Sequence, residues 1–162
     1  MQDQATASPT VPGCLSCAHL HDPDAPPCDR IVVSEGWTVA HAIGANLEGW
    51  LVVVPNRHVV AIDELTAQEA SALGMLLAAV TAALRDVVGC ERTYVVSMGE
   101  MPGFAHLHFH VVPRHTDMPE AYRGVRVFRL LANPELDAVA PEVMDVLALR
   151  LRAHLDAAGV GA

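Results

Sequence analysis

Lysine is absent from this 162-residue chain, whose ten basic residues are all arginine. Without lysine no Schiff base can form, and the amine that a phosphate-binding P-loop needs is missing. Positive charge is scarce altogether: 10 basic against 19 acidic residues leave a formal net charge of −9. A non-specific grip on nucleic acid needs a basic stripe that displaces phosphate counterions, so no nucleic-acid partner is expected. A small phosphorylated ligand needs only a few placed donors and stays open. Charged residues are few, 18% against 52% apolar, which excludes a disordered or fibrous chain. Aromatics are fewer still at 4%, so Trp37, Trp50, Phe104 and Phe109 read first as core and only second as a surface on which a base stacks. No run approaches the ~18 consecutive apolar residues of a membrane span. The opening MQDQATASPTVPG lacks the basic and apolar blocks of a signal peptide. The expectation is a cytoplasmic protein with no membrane partner. There Cys14, Cys17, Cys28 and Cys90 are expected as thiols or metal ligands, not disulfides.

The length predicts one domain with a core large enough to need no covalent staples. Residues 1–12 are polar and aperiodic and are expected to form a mobile tail, ahead of a single domain over 13–162. Residues 13–29 hold three Cys, two His and three Pro, and read as a loop fixed by something other than a core. Strand-like runs follow at 30–34 and 37–43 around Glu35-Gly36, and at 49–55, where GWLVVVP suits a central strand covered on both faces. After Asp63 the period changes. Thr66 with Glu69 forms a capping-box pattern, and Ala70, Leu73, Leu77, Val80 and Leu84 recur at helical spacing up to Gly89. Further strands are expected at 92–98 and 105–113, then a second helix over 133–154 with Pro141 near a break. Strands in clusters on either side of a long helix favour an α+β antiparallel sheet over a doubly wound one.

Residues 106–112 read His-Leu-His-Phe-His-Val-Val. Alternation along a strand puts His106, His108 and His110 on one side and Leu107, Phe109 and Val111 on the other, toward a core. Three aligned imidazoles are available as nucleophile, proton donor or metal ligand near neutral pH. HLHFHVVPR (106–114) resembles the histidine triad (HIT) motif, and GWLVVVPNRH (49–58) upstream, running into the long helix, extends the resemblance over roughly residues 13–115. The resemblance implies an antiparallel five-stranded sheet with one long helix, here followed by a C-terminal helical extension over 116–162. It implies a homodimer with a continuous sheet, and a nucleotide hydrolase or nucleotidyl transferase acting at an α-phosphate. Carried onto this chain, His108 is the expected nucleophile and forms a covalent nucleotidyl-histidine. His110 is the expected contact to phosphate and leaving group.

Cys14-Leu-Ser-Cys17 has the spacing at which two thiolates share one tetrahedral ion. A redox dithiol is the rival, but that motif normally opens a helix after a strand, and no such strand precedes Cys14. The zinc-containing bacterial branch of the resembled family completes such a site with residues matching His58 and His106, giving Cys14, Cys17, His58 and His106 as a structural zinc site. A local alternative joins Cys14, Cys17 and Cys28 with His19 or His21.

The chain also departs from the resembled pattern. Ala42 stands where many such proteins hold the ribose hydroxyls with Asp, Trp50 stands where many have His, and 97–105 lacks the usual phosphate-touching Gln. Ser97 and the backbone amides of the 99–103 turn, Gly103 among them, are the candidate substitutes, since turn amides make anion sites. Arg114 is a candidate bidentate phosphate partner. The rival functional readings are a non-catalytic nucleotide- or phosphate-binding scaffold, and a triad that itself holds a catalytic ion.

Overall fold

In a computed structural model of the protein, residues 10–34 and 36–160 are described. Most of the expected tail, residues 1–9, and the turn residue Glu35 lie outside them. Five strands form one antiparallel sheet: β1 (Val32–Val33), β2 (Trp37–His41), β3 (Leu51–Pro55), β4 (Arg92–Val96) and β5 (Phe109–Arg114). Their spatial order is β1-β2-β3-β5-β4, so β3 and β5 are central and β4 is a free edge. The β-branched residues of Leu51–Pro55 suit a strand packed on both faces, and four of its five residues are buried.

Three helices accompany the sheet: α1 (Leu15–Leu20), α2 (Ala67–Val88) and α3 (Pro141–Ala157). The capping box of α2 is complete: Thr66 Oγ1 accepts from the Glu69 amide at 3.2 Å, and a Glu69 carboxylate oxygen accepts from the Thr66 amide at 2.8 Å. Gly89 closes the helix in the left-handed region (φ 77°), where its N–H reaches Arg85 O. The buried stripe is Leu76, Val80, Ala83 and Leu84, with Leu73 and Leu77 partly buried beside it and Ala70 exposed. A helix this rich in Ala and Leu has little contrast between its faces, so its period identifies the helix better than its phase. By length and composition alone α2 would cross a bilayer; here it packs on the sheet.

α2 and α3 cover one face, over a core that includes Trp37, Val53, Leu84, Phe109, Val111 and Leu151. The segment from 116 to 139 crosses the other face and builds a smaller cluster of Ala42, Trp50, Val112, Met118, Val127 and Leu130. A backbone bridge between Ala45 and Leu131 ties it to the β2–β3 loop. Two sequence expectations need correction. The second helix begins at Pro141, not near 133, because residues 133–139 are held non-helical: Asn46 bonds the Asn133 amide and Leu136 O, and the Val139 amide bonds Ala45 O. Pro141 starts the helix instead of breaking it, since its missing N–H costs nothing in the first turn. The last strand begins at Phe109, not 105, because the Leu107 amide is taken by Val59 O at 2.7 Å, outside the β4 ladder.

Candidate active site and metal centre

α1, read from sequence as loop, is a single short helix whose N-cap is Cys14, with Sγ accepting from the Cys17 amide at 3.4 Å. This turn brings two thiols to one point. His58, just past β3, and His106, just before β5, meet them there. The Sγ of Cys17 lies 3.3 Å from Nδ1 of His58 and 3.5 Å from Nδ1 of His106, and the Sγ of Cys14 lies 3.6 Å from the latter. All four donor atoms fall within 4.8 Å of one another. A tetrahedral ion with metal–sulfur and metal–nitrogen bonds of about 2.3 and 2.0 Å separates such donors by about 3.6 Å, so the set fits. His106 is prepared for the role: its Nε2–H donates to Pro55 O at 2.9 Å, which leaves Nδ1 as the lone-pair atom. Burial holds His106 below its ordinary pKa, in the neutral form that ligates, and pushes the Cys17 thiol up. Cys28 is not part of the cluster. Its amide donates to Asp145 and its thiol to Asp29, and burial with these carboxylates pushes it up to about 12. His19 pairs with Asp29 at 3.1 Å.

Beside this centre the ring nitrogens of the triad form a directed chain. His108 Nδ1 bonds His106 O at 2.7 Å and therefore carries the proton, so Nε2 keeps its lone pair. Nε2 of His108 lies 3.2 Å from Nε2 of His110. On its far side His110 accepts at Nδ1 from the indole N–H of Trp50, at 3.0 Å. Phe128, from the segment over the second face, packs edge-on against both His110 and Trp50. Burial, with His108 next to it, pushes His110 down to about 4.

His108 and His110 line a cavity of about 380 Å³. Its walls come from β2 and β3 (Thr38, Ala40, Val52, Val54), from the 98–104 loop (Met98, Met101, Phe104) and from the C-terminal segment (Phe128, Leu131). Ala42 lines it too, so no carboxylate stands at that position. The acidic groups present are Asp29, already paired with His19, and Glu100. Of the residues named for phosphate, His110 lies in this wall, while Ser97, Gly103 and Arg114 do not. Gly103, at φ 85°, accepts the Leu15 amide through its carbonyl at 2.8 Å and so anchors α1. Arg114, at the opposite end of β5 from His110, pairs with Glu91 at 2.7 Å. A Cβ on Gly99 would stand 3.9 Å from Cε1 of His108, so the loop after β4 passes beside the nucleophile candidate.

Sequence reasoning missed the contributions of Phe128 and Leu131, which arrive through a pairing with no periodic signal. It also missed the Trp50–His110 bond. Val52 pairs with His110 across β3 and β5, which makes Trp50 a diagonal neighbour on the same face, but only once the register is known. His41, unassigned from sequence, staples the β2–β3 loop: Nδ1 donates to Ala42 O and Nε2 accepts from the Gly49 amide, both at 3.2 Å.

Solved structures of similar fold carry the same architecture. A zinc-bound histidine triad family protein from Mycobacterium smegmatis aligns with a TM-score of 0.61 and 21% identity, over 90% of this chain and 96% of that one. A histidine triad protein from Bradyrhizobium japonicum aligns with a TM-score of 0.63 and 22% identity, over 77% of this chain and 88% of that one. A Hit-like protein involved in cell-cycle regulation from Bartonella henselae gives 0.62 and 17%, over 78% and 85%. A search of curated protein sequences finds no match. The HIT domain family model matches residues 25–117, more than half of the chain, and spans β1 to β5 with the triad inside it. With the sheet order, the three histidines and that match in agreement, this chain belongs to the HIT domain family.

Proposed function

We propose that the protein is a histidine triad hydrolase or nucleotidyl transferase in which His108 attacks an α-phosphate. One observation carries the reading: the Nδ1–H of His108 is committed to His106 O, which leaves the Nε2 lone pair as the reactive end of a ring lining the cavity. A bond forms from Nε2 to phosphorus as the bond to the leaving group breaks. Water or another acceptor then attacks phosphorus and returns the electron pair to Nε2. His106 O stabilises the positive ring that exists between these steps, and His110 offers its Nε2–H to the phosphoryl oxygens.

Zinc suits Cys14, Cys17, His58 and His106 as a structural ion, because four protein ligands close the coordination shell and leave no position for a reacting water. All four cysteines are free of disulfides, in keeping with a cytoplasmic setting. A homodimer is supported by the free edge at β4, whose Val95 is exposed. A second reading, a non-catalytic binder of nucleotides or phosphates, is favoured by one feature: no arginine and no Ser97 reaches the cavity wall to clamp phosphate.

Turnover of nucleoside phosphoramidates, dinucleoside polyphosphates, nucleotide sugars and simple phosphate esters by wild type and His108→Asn separates the two readings. Each reaction is sampled by intact mass without acid, which cleaves phosphohistidine. Turnover of one class that disappears in the variant, with a nucleotidyl adduct on wild type, is the expected result. Folded, metal-loaded protein that shows neither turnover nor adduct establishes the binder.

A further inference from the structure

Trp50 is fully buried, and its indole N–H can only donate, so the His110 nitrogen 3.0 Å away can only accept. In the neutral ring the proton is then on Nε2, pointing to the lone pair of His108 at 3.2 Å. Protonating Nδ1 would set two N–H groups against each other where the buried His110 ring packs on Trp50 and Phe128. Releasing the Nε2 proton would require an imidazolate. Neither state is accessible near neutral pH, so His110 donates a hydrogen bond but does not transfer a proton.

The surroundings offer no replacement on the same ring. It meets Trp50 just ahead of β3, the Val52 backbone on β3, the Val96 backbone on β4 and Phe128 from the C-terminal segment; the titratable group facing it is His108. The other ionisable groups in the cavity wall are His19, Asp29, His41 and Glu100. Both nitrogens of His41 are already bonded within the β2–β3 loop, His19 and Asp29 are bonded to each other, and Glu100 is exposed to water on the 98–104 loop, away from the buried His110 ring.

We infer that Trp50 is a positioning residue that fixes His110 as a neutral Nε2–H donor. The site therefore takes substrates whose leaving group departs as a stable anion: phosphoanhydrides and aryl phosphate esters, in preference to phosphoramidates and alkyl phosphate esters. The inference rests on His108 being the nucleophile. When Nε2 of His108 bonds phosphorus, the departing oxygen takes the electron pair, and a phosphate or phenolate holds that charge without a proton. An amine or an alkoxide does not, and general acid catalysis worth about a hundredfold or more is lost to it.

Two measurements test this. Ring-nitrogen NMR of protein labelled with nitrogen-15 at histidine, with His110→Asn for assignment, reads the tautomer without any substrate. His110 is expected as Nε2–H, unchanged from pH 8 to about pH 5, the range in which an ordinary histidine titrates. In Trp50→Phe, which keeps an aromatic ring but no donor, the proton is expected to divide between Nδ1 and Nε2. An Nδ1–H tautomer, or a wild-type His110 that protonates near the ordinary value, overturns the inference. The second measurement compares the para-nitrophenyl ester, the butyl ester and the butyl amidate of AMP. Wild type is expected to favour the aryl ester by about a hundredfold beyond the ratio shown by Trp50→Phe. An amidate cleaved as fast as the aryl ester, through an adduct on His108, overturns the inference and leaves the catalytic reading standing. Absence of any adduct overturns the catalytic reading and the substrate preference with it, while the NMR result still reports the tautomer.

Discussion

Besides the candidate metal ligand His106, two imidazoles in this protein are neutral because of where they are, and that gives its stability a pH dependence with a definite sign. His41 is 2% exposed, with both nitrogens bonded to backbone, and burial holds it below its ordinary value. His110 is pushed down to about 4 by burial and by His108. The unfolded chain takes up these protons near 6.5, and the folded chain only at lower pH. Between those values the unfolded state binds more protons, so stability is intact above about pH 6.5 and falls as the pH drops toward 4. Glu69 adds a second stage. The Arg57 guanidinium, bonded at 2.9 and 3.2 Å, holds its carboxyl down to about 2, so its contribution is present above its ordinary 4.5 and is lost as the pH falls toward 2. Melting temperature against pH is expected to decline in these two stages. His41→Gln, which keeps a donor and an acceptor but does not titrate, is expected to shrink the first. Glu69→Gln is expected to cost about 0.5–1 kcal/mol at neutral pH and to remove the second. A melting temperature constant from pH 6.5 to 4.5 would refute the assignment of neutral buried imidazoles.

Among the elements, those with periodic sequence were legible and those held by single long-range contacts were not. Thr66, Glu69 and Gly89 announce α2, and its Leu and Val spacing places it on a core. The alternation of Leu107, Phe109 and Val111 with the three histidines separates the faces of the β5 region even though the strand itself starts late. α1 gives no such signal, because six residues carry no apolar stripe and its cap is a thiol, not a hydroxyl or carboxylate. The gathering of Cys14 and Cys17 with His58 and His106 followed from spacing and family pattern; the positions of Ser97 and Arg114 did not, since they depend on where β4 and β5 end. α1 therefore depends on the metal centre more than on its own helix propensity. One zinc per chain is expected by elemental analysis. Stripping it by chelation or by Cys17→Ser is expected to lower stability by about 4 kcal/mol at a zinc concentration a thousandfold above Kd, on the order of 10 °C for a chain of this size. Far-ultraviolet loss confined to a turn of helix, with the rest of the sheet intact, is the expected spectral companion. Unchanged melting with no bound zinc would refute the structural role.

At the scale of the molecule, the sheet has one well-formed open edge. β1 is two residues long, whereas β4 presents five residues and follows the central β5. Unpaired strand edges invite pairing with another chain. A second copy across β4 would extend the sheet, and light scattering is expected to give twice the 17.3 kDa chain mass. Val95→Arg on that strand is expected to shift the mass toward one chain while the melting of the fold stays cooperative. A wild-type mass of one chain would refute the dimer.

The return of α3 to the start of the domain has a kinetic meaning. Asp145 accepts the Cys28 amide across 117 residues of chain, and the Arg152 guanidinium donates to Ile31 O and Arg30 O across 121 and 122. Leu147, Ala148, Leu151 and Leu155 complete the core beside α2 and against β2. During synthesis the sheet must therefore wait, with one part of its apolar face open to water, until the ribosome has released α3. Contacts so distant in sequence are reached late and slowly. Until α3 arrives, α2 alone covers the apolar face of the first hairpin.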